Sequence, residues 1–253
     1  MKIAYDWEFL ERGPDVPIVP ISLGMVREDG ERLYLINGEM PLSTLVRAPW
    51  LQLNVLPYLP LTITSDHTAN YTGSIIEWDA EHHDYPYRVG LDEMRHRVRE
   101  FTDVDKPELW TYYGAYDHVL LAQLFGTMTD WPQHLPMYSN DVMQDWNRLG
   151  RPQLPATEAM HHALHDAQWT LDCVRALALF ELAADAHDEE AAELLRDPGF
   201  RESVIQYQNG QGRAIDLGYL SLPAEVQDEI EAHVGGRHHE QDGQDDPMEG
   251  GRA

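Results

Sequence analysis

Residues 2–9 read Lys2-Ile3-Ala4-Tyr5-Asp6-Trp7-Glu8-Phe9, and the rest of the chain is organised around them. Ile3, Ala4, Tyr5, Trp7 and Phe9 make the stretch apolar and aromatic, which is the composition of a central strand covered on both faces. Two acids interrupt it, Asp6 and Glu8. Residues two apart in a strand leave the same face, so both carboxylates would stand together and could grip one cation. On a solvated edge strand such a pair arises by chance. On a covered strand it is costly unless paired or metal-bound.

Val16 to Val26 predicts a second strand, Asp29-Gly30 a hairpin turn and Arg32 to Asn37 a third strand, so the chain opens with a three-strand meander. Ser43 to Leu56 reads as a helix capped by Ser43 or Thr44 and stopped by Pro57, with Pro49 early in it or breaking it. Residues 60–88 show no sustained period. They predict an inserted loop, about 62–88, with a short strand at Ser74 to Trp78.

Leu91, Met94, Val98 and Phe101 then have helical spacing, Glu108 to Tyr113 reads as a buried strand, and Asp117 to Phe125 as a helix. Leu135 to Tyr138 predicts a last strand, Asn140 to Leu149 a helix, and Ala163 to Ala186 the longest helix. Strands first, then alternating strands and helices, give an α/β fold with a mixed central sheet flanked by helices. We expect one domain over 1–186, a partly ordered extension over 187–233 and a disordered acidic tail over 234–253.

Of the 253 residues 43% are hydrophobic, enough for one core. The formal charge of -26 argues against a protein that coats nucleic acid through clustered Lys and Arg, but not against one that meets phosphates through bound cations. Part of that charge belongs to the tail, since residues 185–253 carry 17 acids against 5 bases. The single cysteine, Cys173, provides neither a disulfide framework nor a cysteine zinc site. The charged amino terminus does not read as a signal peptide, and no run of about 18 apolar residues suggests a membrane span, so a soluble, cytoplasmic protein is expected.

Asp117 follows the strand Glu108 to Tyr113 after the turn Gly114-Ala115-Tyr116. It reads either as a helix N-cap or as a ligand at a strand's C-terminal end, where open α/β sheets place their sites. A third element is His161-His162-Ala163-Leu164-His165-Asp166. Residues five apart on a helix lie about 140° apart, so His161 must sit in the irregular entry while Asp166 points inward. Four carboxylates suit a pair of Mg²⁺ ions in phosphodiester hydrolysis, and a histidine titrating near neutrality suits activation of water. Two other readings take His165-Asp166 as part of an HD-type phosphohydrolase, or His161 and His165 as a zinc pair.

The segments YDWEF (5–9), GAYDHVLL (114–121) and HHALHDAQ (161–168) resemble the three motifs of the DEDDh exonucleases, which have a ribonuclease H-like fold. With NVLPYLP (54–60), the chain is most similar to the small actinobacterial 3'→5' exoribonucleases described as polyadenylate-specific. The resemblance implies Asp6, Glu8, Asp117 and Asp166 as ligands of two Mg²⁺ ions, with Mn²⁺ substituting, and His161 as general base. It implies release of nucleoside 5'-monophosphates from a single-stranded 3' end, RNA favoured, by a homodimer. A proofreading-type DNA exonuclease and a retired nuclease serving as a binding module are the alternatives. Trp7 departs from the family, which has a small or β-branched residue there. Trp7, Phe9, Tyr116 and His118 are candidate substrate contacts, with Tyr113 beside them, because aromatics stack on any base.

Overall fold

The computed structural model describes residues 1–66, 73–157, 161–185, 193 and 196–208. Strand β1 (Lys2–Leu10) pairs antiparallel with β2 (Val19–Arg27), which pairs antiparallel with β3 (Arg32–Asn37). On its other side β1 lies parallel to β7 (Glu108–Thr111), and β7 parallel to β8 (Asn140–Asp141). With β6 (Arg88–Val89) parallel to β3 at the far edge, the sheet order is β6-β3-β2-β1-β7-β8. A meander continued by parallel strands beyond its first strand is the ribonuclease H-like arrangement that the resemblance implies.

The alternation in β1 separates two environments. Ile3, Tyr5 and Trp7 enter one core with Met94 and Val98 of α3 (Leu91–Thr102) and Leu120, Leu121, Leu124 and Phe125 of α4 (Ala115–Phe125). Ala4 faces the other way, against Ala167 and Leu171 of α6 (Ala163–Asp185). Asp6 and Glu8 continue the Ala4 face, as the period of two requires.

Gly24 sits opposite Asp6 in the β1–β2 register. A Cβ on Gly24 would lie 2.2 Å from the Ala163 carbonyl oxygen and 2.3 Å from the Leu164 nitrogen. Only glycine lets the first turn of α6 come down onto the sheet there, and that approach brings residues 161–166 over the acids of β1.

Three expectations need correction. The single helix over Ser43 to Leu56 is instead α1 (Leu42–Leu45), α2 (Pro49–Asn54) and a 3-10 turn over Leu56–Tyr58. Pro49 and Pro57 lie in the first turn of the second and third pieces, where a missing N–H costs nothing, and each ends what precedes it. In the loop expected at 62–88 the short strand at Ser74 to Trp78 is present as β5 (Gly73–Trp78), but it pairs in a hairpin with the unforeseen β4 (Leu61–Asp66), and a 3-10 turn over Tyr85–Tyr87 and β6 follow. Leu135 to Tyr138 forms no strand. Its neighbour β8 pairs with Trp110 and Thr111 and leads into α5 (Val142–Arg148), capped by the Asp141 carboxylate on Met143 N–H at 2.9 Å.

The chain divides into two compact units, residues 1–177 and 178–253. In the second, α7 (Pro198–Gln208) is described, with the Arg201 guanidinium over the Phe180 ring at 5.5 Å. The expected acidic tail lies outside the described residues. No described helix is long and apolar enough to cross a membrane.

Candidate active site

All five motif residues line one cavity of about 490 Å³, open above the Ala4 face of β1. β1 supplies Asp6 and Glu8, the first turn of α4 supplies Asp117, and the entry and first turn of α6 supply His161 and Asp166. Among the described residues, the donor atoms of Glu8, His161 and Asp166 lie within 4.8 Å of one another.

Backbone groups aim these side chains. The Trp7 N–H donates to Asp117 Oδ1 at 2.8 Å, so the main chain between Asp6 and Glu8 fixes the third acid. Asp117 is therefore not the helix cap; Gly114 occupies that position. Asp141 accepts from the N–H of Tyr113 at 3.3 Å and of Gly114 at 3.2 Å, holding the turn that delivers Asp117. A Cβ at Gly114 would lie 1.7 Å from Thr111 Oγ1, so this turn also needs glycine.

His161 stands outside α6 as expected, with φ of 69°. That left-handed geometry costs a non-glycine residue on the order of 1–3 kcal/mol and persists where surrounding contacts hold it. Here the His161 N–H donates to Asp166 Oδ2 at 2.6 Å, and the ring meets Trp50 edge-on at 4.7 Å between centroids. Tyr113, with φ of 57°, is the second left-handed residue at this cavity.

The acids raise one another's proton affinity. Burial pushes Glu8 up to about 8, helped by the charges of Asp166 and Asp117. Asp6 is held well above the usual carboxylate range by burial, then by Asp117, Glu8 and Asp166. Asp117 rises to about 6 through burial, opposed by the hydrogen bond from Trp7. Asp166 is raised by burial and partly relieved by the His161 N–H. Clustered carboxylates in this state favour a compensating cation, and a donor set of carboxylate oxygens fits hard Mg²⁺ or Mn²⁺.

The expected substrate contacts divide. Phe9 and Tyr116 stack at 5.6 Å with ring planes 21° apart, and both line the cavity. Trp7 buries its indole in the core of the opposite face and meets the site through its backbone. His118 does not line the cavity. One residue beyond Asp117 turns it by about 100° around α4, towards Ser139 Oγ at 2.9 Å, which also holds the Tyr5 hydroxyl at 2.6 Å. His165 does not line the cavity and stacks on His162 at 4.1 Å.

Trp50 was not anticipated. It is 54% exposed at the cavity and touches His161. The only signal was an exposed-helix tryptophan just after Pro49, in a segment whose fold was itself misread. Tyr112 and Trp169, edge-on at 4.8 Å, form another unforeseen part of the wall.

No family model matches the chain. The chain is 32% identical over 187 residues to the 3'-5' exoribonuclease Rv2179c of Mycobacterium tuberculosis (strain ATCC 25618 / H37Rv), covering 74% of this chain and 96% of that protein. The 3'-5' exoribonuclease MT2234.1 of strain CDC 1551 / Oshkosh matches with the same identity and coverage. Among solved structures, exonuclease I in its apo form aligns with a TM-score of 0.41 at 12% identity, over 81% of this chain and 44% of that one. Exonuclease I from Methylocaldum szegediense aligns with a TM-score of 0.42 at 16% identity, over 77% and 45%. The chain thus spans less than half the length of these solved structures.

Proposed function

The chain belongs to the 3'-5' exoribonuclease family of its mycobacterial relatives, and on that premise we propose that it removes nucleoside 5'-monophosphates from the single-stranded 3' end of RNA by Mg²⁺-dependent hydrolysis. The observation that carries this reading is the convergence of Asp6, Glu8, Asp117, Asp166 and His161 on one cavity from three separate elements. The exonuclease domain is residues 1–186, and the enzyme is a cytoplasmic homodimer, both in keeping with the family likeness.

Asp6, Glu8, Asp117 and Asp166 would hold the cations through their carboxylate oxygens. Two Mg²⁺ ions, or Mn²⁺ in their place, would supply charge stabilisation for phosphodiester hydrolysis when bound there. His161 takes the proton of the attacking water, from a ring whose approach is set by its left-handed backbone and by Trp50. Water attacks phosphorus, the bond to the preceding 3' oxygen breaks, and the terminal nucleotide leaves with its 5' phosphate. The stacked pair Phe9 and Tyr116 and the exposed Tyr113 offer ring faces to the last bases. Stacking of that kind tolerates any sequence, which suits an exonuclease.

The test is a gel of 5'-labelled single-stranded RNA and matched DNA, with Mg²⁺ or EDTA, beside Asp6→Ala and His161→Ala. The expected result is metal-dependent shortening of RNA from its 3' end, abolished by Asp6→Ala and slowed about 10²–10⁴-fold by His161→Ala. Preferential shortening of DNA would replace the substrate, and an absence of metal-dependent cleavage of either polymer would leave a binding module.

A further inference from the structure

A second group of chemistry-bearing side chains gathers where the turn after β5 meets the loop ahead of α6. The donor atoms of His82, His83 and Asp84 lie within 4.8 Å of one another. Asp84 is buried, and its Oδ2 is the hub: His83 Nε2 lies 3.2 Å from it, and His162 Nε2 lies 4.0 Å from it. His82 and His83 stack at 4.3 Å, so their rings advance side by side.

Ligands held about 2.0–2.1 Å from a tetrahedral ion lie about 3.3 Å from each other. The His83–Asp84 pair is already at that spacing, and His162 reaches it by closing less than about 1 Å. His162 is held ready for this. The residue is 9% exposed, its ring is stacked against Tyr34 at 4.6 Å and His165 at 4.1 Å, and Nε2 is the nitrogen that lies towards Asp84.

We propose that His82, His83, Asp84 and His162 form a second cation site, separate from the carboxylate centre, for a transition-metal ion of the Zn²⁺ class. Three imidazoles and one carboxylate suit such an ion, whereas Mg²⁺ prefers an all-oxygen set. His162 directly follows His161, so the ion fastens the turn at 79–84 to the loop of the candidate general base. The binding claim itself does not rest on the nuclease reading.

The experiment titrates the full chain with Co²⁺ in excess Mg²⁺, so that the carboxylate centre is supplied with its own ion, and reads the intense visible bands of four-coordinate Co²⁺. The expected result is one equivalent with those bands, displaced by Zn²⁺, unchanged by Asp6→Asn and weakened at least about tenfold by His83→Ala or Asp84→Asn. His83 has a side chain 82% exposed, so its removal leaves the fold intact even if the buried Asp84 does not tolerate change. Wild-type protein without the bands, or His83→Ala protein with bands and affinity unchanged, overturns the site. Because the readout is binding and not cleavage, its failure is distinguishable from failure of the exonuclease reading.

Discussion

The two faces of β1 differ sharply in what they cover. One presents Ile3, Tyr5 and Trp7 to α3 and α4, and the other presents Ala4, Asp6 and Glu8 to α6 and the cavity. Neighbouring residues on one backbone thus serve opposite ends. The first face gains stability by leaving water, and the second gives some up by bringing carboxylates together. A strand can carry both because its side-chain period is two, and a central strand is rigid enough to hold the acids near one another.

The sharpest way to break the comparison is a pair of substitutions. Tyr5→Ala should destabilise the fold by about 3–5 kcal/mol, as truncation of a large buried ring does, read as a drop in the denaturant midpoint. Glu8→Gln should do the reverse: cleavage falls at least about 10²-fold, while the midpoint measured in EDTA holds or rises because a buried acid is gone. If Glu8→Gln unfolded the protein as Tyr5→Ala does, the two faces would not be functionally distinct.

Gly24→Ala probes the seating of α6 over the acid face. Its new methyl meets backbone at 2.2 Å, so the helix must shift, at roughly 1–3 kcal/mol. Activity should fall by more than that stability loss accounts for, since His161 and Asp166 ride on the displaced segment. Parallel measurements of the denaturant midpoint and kcat would separate the two effects.

The smallest effect is on pH. The folded-state proton affinities of Glu8 and Asp117 are raised, to about 8 and about 6, above ordinary carboxylate values of 4.5 and 3.8. Within those windows the folded state binds more protons than the unfolded state, so stability falls as pH rises through them. In EDTA the melting temperature should drop by roughly 5 °C between pH 5 and pH 8, and Mg²⁺ should flatten the slope. A slope equally steep with Mg²⁺ would mean that the acids do not share a cation.

How much of this could be read from the chain depends on how local each cause is. The meander, α3, α4 and α6 follow from period and turn chemistry, and Asp29-Gly30 marks its hairpin. The five motif residues were nominated from the spacing of the acids and histidine within and beside such elements, the fold gathers them at one cavity, and helical geometry alone put His161 outside α6. What escaped was set by contacts distant in sequence. β8 is only two residues long and exists through its pairing with β7. Trp50 acquires its place from His161, over a hundred residues away. His118 was placed by adjacency to Asp117, although one step around a helix changes the face. The His82–Asp84 turn and His162 are neighbours only in the fold, far apart in sequence.

The hydrogen bond from the Trp7 N–H to Asp117 comes from the main chain, which every residue except proline possesses. The identity of residue 7 is therefore decoupled from the aim of the third acid. That leaves latitude at the middle of the motif: Trp7 fills the hydrophobic core behind the sheet without disturbing the acids on either side. Proline is the one replacement that this arrangement forbids.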